Sequence, residues 1–156
     1  MLVVYHFLYN LQIKRGQNLS QNNTKKIHFA LTKIEEGSPV AIPTETVYGL
    51  AASISHPLAI RQIFAIKGRP NNHPLIIHVD DLSMAKRYAF FSPLAEKIAS
   101  YFWPGPLALI LPKKDVVPFE VTGGLNTVGL RCPDHPLSRA IIKKHGSPLA
   151  APSANP

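Results

Sequence analysis

The sequence predicts an α+β fold: one mixed, twisted sheet with helices on its faces. Short apolar runs of strand length recur at Val40–Ile42, Pro74–Val79, Leu107–Leu111, Thr127–Arg131 and Pro148–Ala151. Between most of them lie segments with apolar residues at helical spacing, opened by Ser, Asp or Pro and closed by Gly. The connections are short, so elements that are neighbours in sequence pack around a common core. At 156 residues and 46% hydrophobic content the chain has the size of one domain, enough to bury roughly 70% of its unfolded surface.

Met1 to Ile13 is apolar and aromatic, shorter than the ~20 residues a membrane span needs. Without a basic start or a small-residue cleavage site it does not read as a signal peptide. An added strand or loosely packed extension is expected there, then a polar linker over Gln17–Asn23. A helix is expected from Asn23 or Thr24, with Ile27, Ala30, Leu31 and Ile34 on one face and Gly37 as its stop. After the Val40–Ile42 strand comes Pro43 to Leu50, PTETVYGL, a polar, hydroxyl-rich turn in which Gly49 permits tight backbone geometry. Pro57 opens the next helix, Ile60, Ile63 and Phe64 form its apolar face, and Gly68 ends it, leaving Lys67, Arg69 and Pro70 at the turn.

The strand Pro74–Val79 is apolar except for His78. Two helices are expected next, Leu82–Tyr88 and one from Ser92-Pro93 to Phe102 with Leu94, Ile98 and Tyr101 inward. Trp103-Pro104-Gly105-Pro106 must break the second. Lys113-Lys114-Asp115 reads as a solvated turn and Gly123-Gly124 as a point of positive φ. Thr127–Arg131 ends in an arginine, Asp134 is placed to cap a helix over Pro136–Lys144, and Gly146 stops it. The last strand delivers Ser153 and Asn155.

Lysine and arginine number 17 against 9 aspartates and glutamates, a formal charge of +8. That balance suits a polyanionic partner, nucleotide phosphate or RNA, and does not separate the two. One cysteine, Cys132, excludes an intrachain disulfide framework and a cysteine-rich zinc site, and the chain reads as intracellular and cytoplasmic. No histidine pair has helical metal-site spacing, so no structural metal is expected. Neither GxxxxGK[ST] nor a GxGxxG following a strand occurs, so a bound nucleotide needs a different cradle. Lys67 with Arg69 suits a phosphate chain, since arginine grips oxygens in pairs and lysine acts as a compact charge. The same two residues also read as a solvated helix end, His78 as a hydrogen-bonded core histidine, and Ser153 with Asn155 as a terminal turn.

Taken together, PTETVYGL, KGRPNNHPLIIHV, WPGPLALIL, TVGLRCPDHP and PLAAPSANP resemble, in order and spacing, the Sua5/YrdC/YciO family of threonylcarbamoyl-AMP synthases. The resemblance covers residues 25–156 and implies a YrdC/RibB-like sheet. It implies a nucleotidyltransferase that makes threonylcarbamoyl-AMP and pyrophosphate from L-threonine, bicarbonate and ATP with Mg2+. The product would serve a downstream threonylcarbamoyl transferase complex that modifies the adenosine beside the anticodon. By motif position, Lys67, Arg69, Ser153 and Asn155 would surround the ATP phosphates, with Lys67 and Arg69 catalytic and Thr127 near the nucleotide. Thr46, His78, Arg131 and the backbone at Ala151 would hold threonine, with Arg131 on its carboxylate. No metal ligand is assigned.

Residues 1–24 match nothing in the family pattern and read as an atypical extension. The C-terminal part of the family domain, including an EST-type motif, is expected to be missing after Pro156, leaving a strand edge exposed and activity reduced. The competing readings are a YciO-like RNA-binding module, with RNA or tRNA as partner, and an inactive fragment of the same fold.

Overall fold

A computed structural model describes residues 19–155 of the chain. Its elements are, in order, α1 (Leu19–Glu35), β1 (Val40–Ile42), β2 (Gly49–Ser53), α2 (Pro57–Lys67), β3 (Ile76–His78), α3 (Leu82–Lys86), α4 (Pro93–Phe102), β4 (Ala108–Pro112), α5 (Phe119–Thr122), β5 (Thr127–Arg131), α6 (Pro136–His145) and β6 (Leu149–Ala150). The strands form one sheet in the order β1-β2-β6-β3-β5-β4. Only β3 and β5 pair in parallel; the other neighbours are antiparallel. The predicted mixed sheet is therefore what forms.

The last strand in sequence lies in the middle of the sheet, between β2 and β3. This insertion brings the tail after β6 against residues from the first half of the chain. Ile42, Leu50, Ile60, Phe64, Ile77, Leu130, Ile141 and Leu149 are buried in the resulting core. Among the described residues no helix is long and apolar enough to cross a membrane, and Met1 to Ile13 lies outside them.

Several expectations need correction. The described part of α1 already begins at Leu19, so Leu19–Asn23 is helical rather than linker; Gln21, Asn22 and Asn23 imitate a cap, but neither Gly nor Pro interrupts the stretch. Its predicted face is right: Ala30 and Ile34 are buried, and Ile27 and Leu31 pack on the core. Strand β2 was not expected, because Gly-Leu-Ala-Ala-Ser has no β-branched or aromatic residue; it forms because all five positions are buried between β1 and β6.

Helix α4 turns a different face inward. Ala95 and Ala99 are buried, while Leu94 is 67% and Tyr101 82% exposed; the two small side chains let the helix approach closely. At α6 the cap is His135, whose Nδ1 accepts the Leu137 N–H, and not Asp134. Helix α5, also unexpected, ends at Gly123 with φ +61°.

Candidate active site

Four stretches converge at one end of the sheet. The first is the connection between β1 and β2. Since Ile42 pairs with Gly49, Pro43–Tyr48 is a hairpin loop. Thr44 organises it: its Oγ1 accepts the N–H groups of Thr46 and Val47, each at 3.2 Å, and donates to the Val47 carbonyl. Gly49 serves close packing rather than turn geometry, its φ not being positive. A Cβ there would stand 3.2 Å from the Ala151 Cβ, so glycine lets two backbones approach.

The tail after β6 supplies that second backbone. Ala151 N–H donates to the Ile76 carbonyl at 3.0 Å, Leu50 N–H to Pro152 at 2.8 Å, and Ala154 N–H to Tyr48 at 2.7 Å. Gly49 and Ser153 form an isolated antiparallel bridge.

The third stretch is the end of α2. Gly68 is left-handed, and the N–H groups of Gly68 and Arg69 return to the carbonyls of Ala65 and Phe64 at 3.3 and 3.1 Å, a Schellman closure. Lys67 Nζ donates to the Ser153 carbonyl at 2.9 Å and also to that of Asn155. Burial, and then the neighbouring charge of Arg69, lowers the Lys67 pKa from its ordinary value.

The parallel strands provide the fourth. His78 and Arg131 are register partners, so their side chains stand side by side on one face. Arg131 Nη2 donates to Glu45 Oε1 at 2.7 Å and to Thr46 Oγ1 at 3.0 Å, while Glu45 Oε2 accepts the Asp134 N–H at 3.0 Å. Burial acts to raise the Glu45 carboxyl, but the Arg131 hydrogen bond and charge, with the N–H groups of Glu45 and Asp134, outweigh it and hold it below the ordinary carboxylate value. His78 is 3% exposed, and its Nδ1 has no hydrogen-bond partner among the described residues. Burial first, and the Arg131 charge second, push its pKa down to about 4, so it is neutral at pH 7.

Between these stretches lies a cavity of about 290 Å³. Lys67, Arg69, His78, Arg131, Ala151 and Ser153 all line it, with Ile63, Phe64 and Leu75 as apolar wall. Among the described residues, three lysine and arginine side chains and no carboxylate line it, which suits an anionic ligand.

Three other nominated residues stand elsewhere. Thr46 lies behind the lining, on Arg131. Asn155 lies beyond Lys67, lining a neighbouring cavity of about 480 Å³ with Leu50 and Ile66. Thr127 is at the opposite end of β5 from Arg131, ~13 Å away along the strand, and does not line the cavity. Thr44, Tyr48 and His73 do line it and were not nominated, nor was Glu45. A lone acidic residue in a polar loop, with a strand-end arginine far along the chain, was the available signal for Glu45.

The family model Sua5_yciO_yrdC, described as Telomere recombination, matches residues 32–156. Threonylcarbamoyl-AMP synthase of Pyrococcus abyssi (strain GE5 / Orsay) is 49% identical over 131 residues, covering 83% of this chain and 38% of the relative. That of Bacillus subtilis (strain 168) is 46% identical over 135 residues, covering 85% and 39%. The chain thus spans well under half the length of these relatives. Threonylcarbamoyl-AMP synthase of Halorhodospira halophila is 33% identical over 134 residues, covering 84% of this chain and 69% of the relative. The crystal structure of P. abyssi Sua5 complexed with L-threonine superposes with a TM-score of 0.80 at 49% identity, over 83% of this chain and 38% of that one. E. coli YciO superposes with a TM-score of 0.76 at 26% identity, over 82% and 63%.

Proposed function

The chain belongs to the Sua5/YciO/YrdC family, and from that premise we propose that its cavity binds ATP and L-threonine and serves the synthesis of threonylcarbamoyl-AMP. One observation supports this most: a histidine and an arginine on adjacent parallel strands meet a Lys67-Gly68-Arg69 turn across a cavity that no carboxylate lines among the described residues. Its partition suits two anions. His78, Arg131 and the Ala151 backbone would take the amino acid, whose carboxylate is an arginine ligand. Lys67 and Arg69 would take the phosphates, with Ser153 and Asn155 on the tail that Lys67 holds. Thr46 would act on threonine through Arg131, and Thr127 would approach only the outer part of a nucleotide.

In the proposed reaction the carbamate, formed when the threonine amine condenses with bicarbonate and water leaves, is the nucleophile. Its oxygen bonds to the α-phosphorus of ATP, the bond from that phosphorus to the bridging oxygen breaks, and pyrophosphate leaves. No protein nucleophile is needed; the site positions two anions and offsets their repulsion. Mg2+ prefers an octahedral shell of oxygens, and among the described residues no carboxylate lines the cavity. Among the described residues the lining therefore offers no dedicated Mg2+ site, and in this reading the ion would be carried on the phosphates. The P. abyssi likeness, at 49% identity against 26% for YciO, favours the synthase over a YciO-like module.

Thermal unfolding with ATP, Mg2+ and L-threonine, singly and together, tests the reading. Ligands that bind the folded state raise the midpoint by mass action, and the combination is expected to raise it most. Lys67→Ala and Arg69→Ala are expected to keep the fold and lower threonine-dependent pyrophosphate release at least about a hundredfold each, the scale of losing one charge-stabilising contact. No midpoint shift with any combination, or near-wild-type release from either variant, refutes it.

A further inference from the structure

The contacts of Arg131 assign a task to a residue outside the cavity. Glu45 does not line the cavity, yet its carboxylate is fixed at both oxygens, one by Arg131 Nη2 at 2.7 Å and the other by the Asp134 N–H at 3.0 Å. With Thr46 Oγ1 accepting from the same nitrogen, both Nη2 hydrogens are engaged. A guanidinium has five N–H donors, so the remaining ones are at Nε and Nη1. Nε is buried and has no partner among the described residues, and nor does Nδ1 of His78, the residue beside it in the β3–β5 register.

We propose that Glu45 is a positioning residue: clamped by the Asp134 backbone, it holds the Nη2 end of the Arg131 guanidinium and so fixes the orientation in which Arg131, which lines the cavity, receives the carboxylate of the amino-acid substrate. The inference rests on the reading that Arg131 receives that carboxylate. Held at one edge, the guanidinium keeps its orientation before ligand arrives, and the entropy of orienting it is spent in folding rather than binding. Glu45 acts through Arg131 and touches no substrate.

The test compares wild type with Glu45→Ala, Glu45→Gln and Arg131→Ala in the 156-residue chain. Nitrogen-edited NMR follows rotation of the Arg131 guanidinium without ligand, and calorimetry measures L-threonine and ATP separately. Glu45→Ala is expected to free the guanidinium and weaken L-threonine binding by about tenfold or more, the scale of one charge-assisted contact. ATP affinity should be unchanged, and Glu45→Gln, which keeps an acceptor, should recover part of the loss. Unchanged rotation in Glu45→Ala overturns the positioning role, as does wild-type or tighter threonine binding. If Arg131→Ala still abolishes binding in that case, the reading of Arg131 stands alone. Absence of threonine binding by wild type overturns that reading and this inference with it. Should Glu45→Ala fail to fold, the same measurements on Glu45→Gln decide, with wild-type rotation and affinity overturning the role.

Discussion

Lowering the pH is expected to destabilise the fold through His78 in a window set by its burial. The imidazole is 3% exposed, and burial followed by the nearby Arg131 charge brings its pKa from 6.5 to about 4. Between those values the unfolded chain binds a proton that the folded chain refuses, so stability rises with pH. The contribution is complete above about pH 6.5 and is lost progressively as pH falls towards 4. The gap between the two pKa values corresponds to roughly 3 kcal/mol, with a slope approaching 1.4 kcal/mol per pH unit in mid-window. Urea unfolding of wild type and His78→Asn at half-unit steps, read as the difference between the two curves, isolates the group. His145, whose pKa burial also lowers, titrates in both proteins and cancels. Glu45, held below the ordinary carboxylate value, loses its contribution mainly below this window. Parallel curves across the window would show that His78 is not carried neutral into the core.

Two further outcomes concern other parts of the fold. Gly123→Ala is expected to destabilise by about 2 to 5 kcal/mol, adding the left-handed backbone penalty to overpacking, because φ is +61° and the new Cβ would lie 2.2 Å from the Asn72 carbonyl oxygen; an unchanged urea midpoint contradicts this. Cys132 is 1% exposed and its thiol is pushed up to about 11 by burial, with the Arg139 charge opposing and Asp80, Asp81 and Asp134 adding to the rise. Ellman's reagent at pH 8 should therefore leave the native chain unmodified and react at once in urea, whereas rapid native modification refutes the assigned environment.

Local signals were sufficient wherever an element's pattern and its boundaries agreed. Strands β1 and β5 fall where short apolar runs predict them, and α2 runs from its early proline to its terminal glycine. The same rules misplaced elements whose form depends on partners far along the chain. Nothing in Gly-Leu-Ala-Ala-Ser says strand until β1 and β6 flank it, and nothing in α4 says that Ala95 and Ala99, rather than Leu94 and Tyr101, face inward. At α6, Asp134 has the better capping chemistry, but the helix begins at Pro136, so the cap position falls one residue later, on His135.

From sequence alone came the fold class, the family resemblance and the cation pair at the end of α2, because each is written in residues close together or in motifs kept in order. The site's closure is a tertiary decision. Placing β6 in the middle of the sheet carries Ser153 back to Gly49 and Lys67, and pairing β3 with β5 sets His78 beside Arg131. Glu45 reaches Arg131 across 86 residues of sequence. No periodicity or propensity encodes a contact of that length; it exists because the sheet, once its core is buried, leaves the arginine and the loop carboxylate within hydrogen-bonding distance.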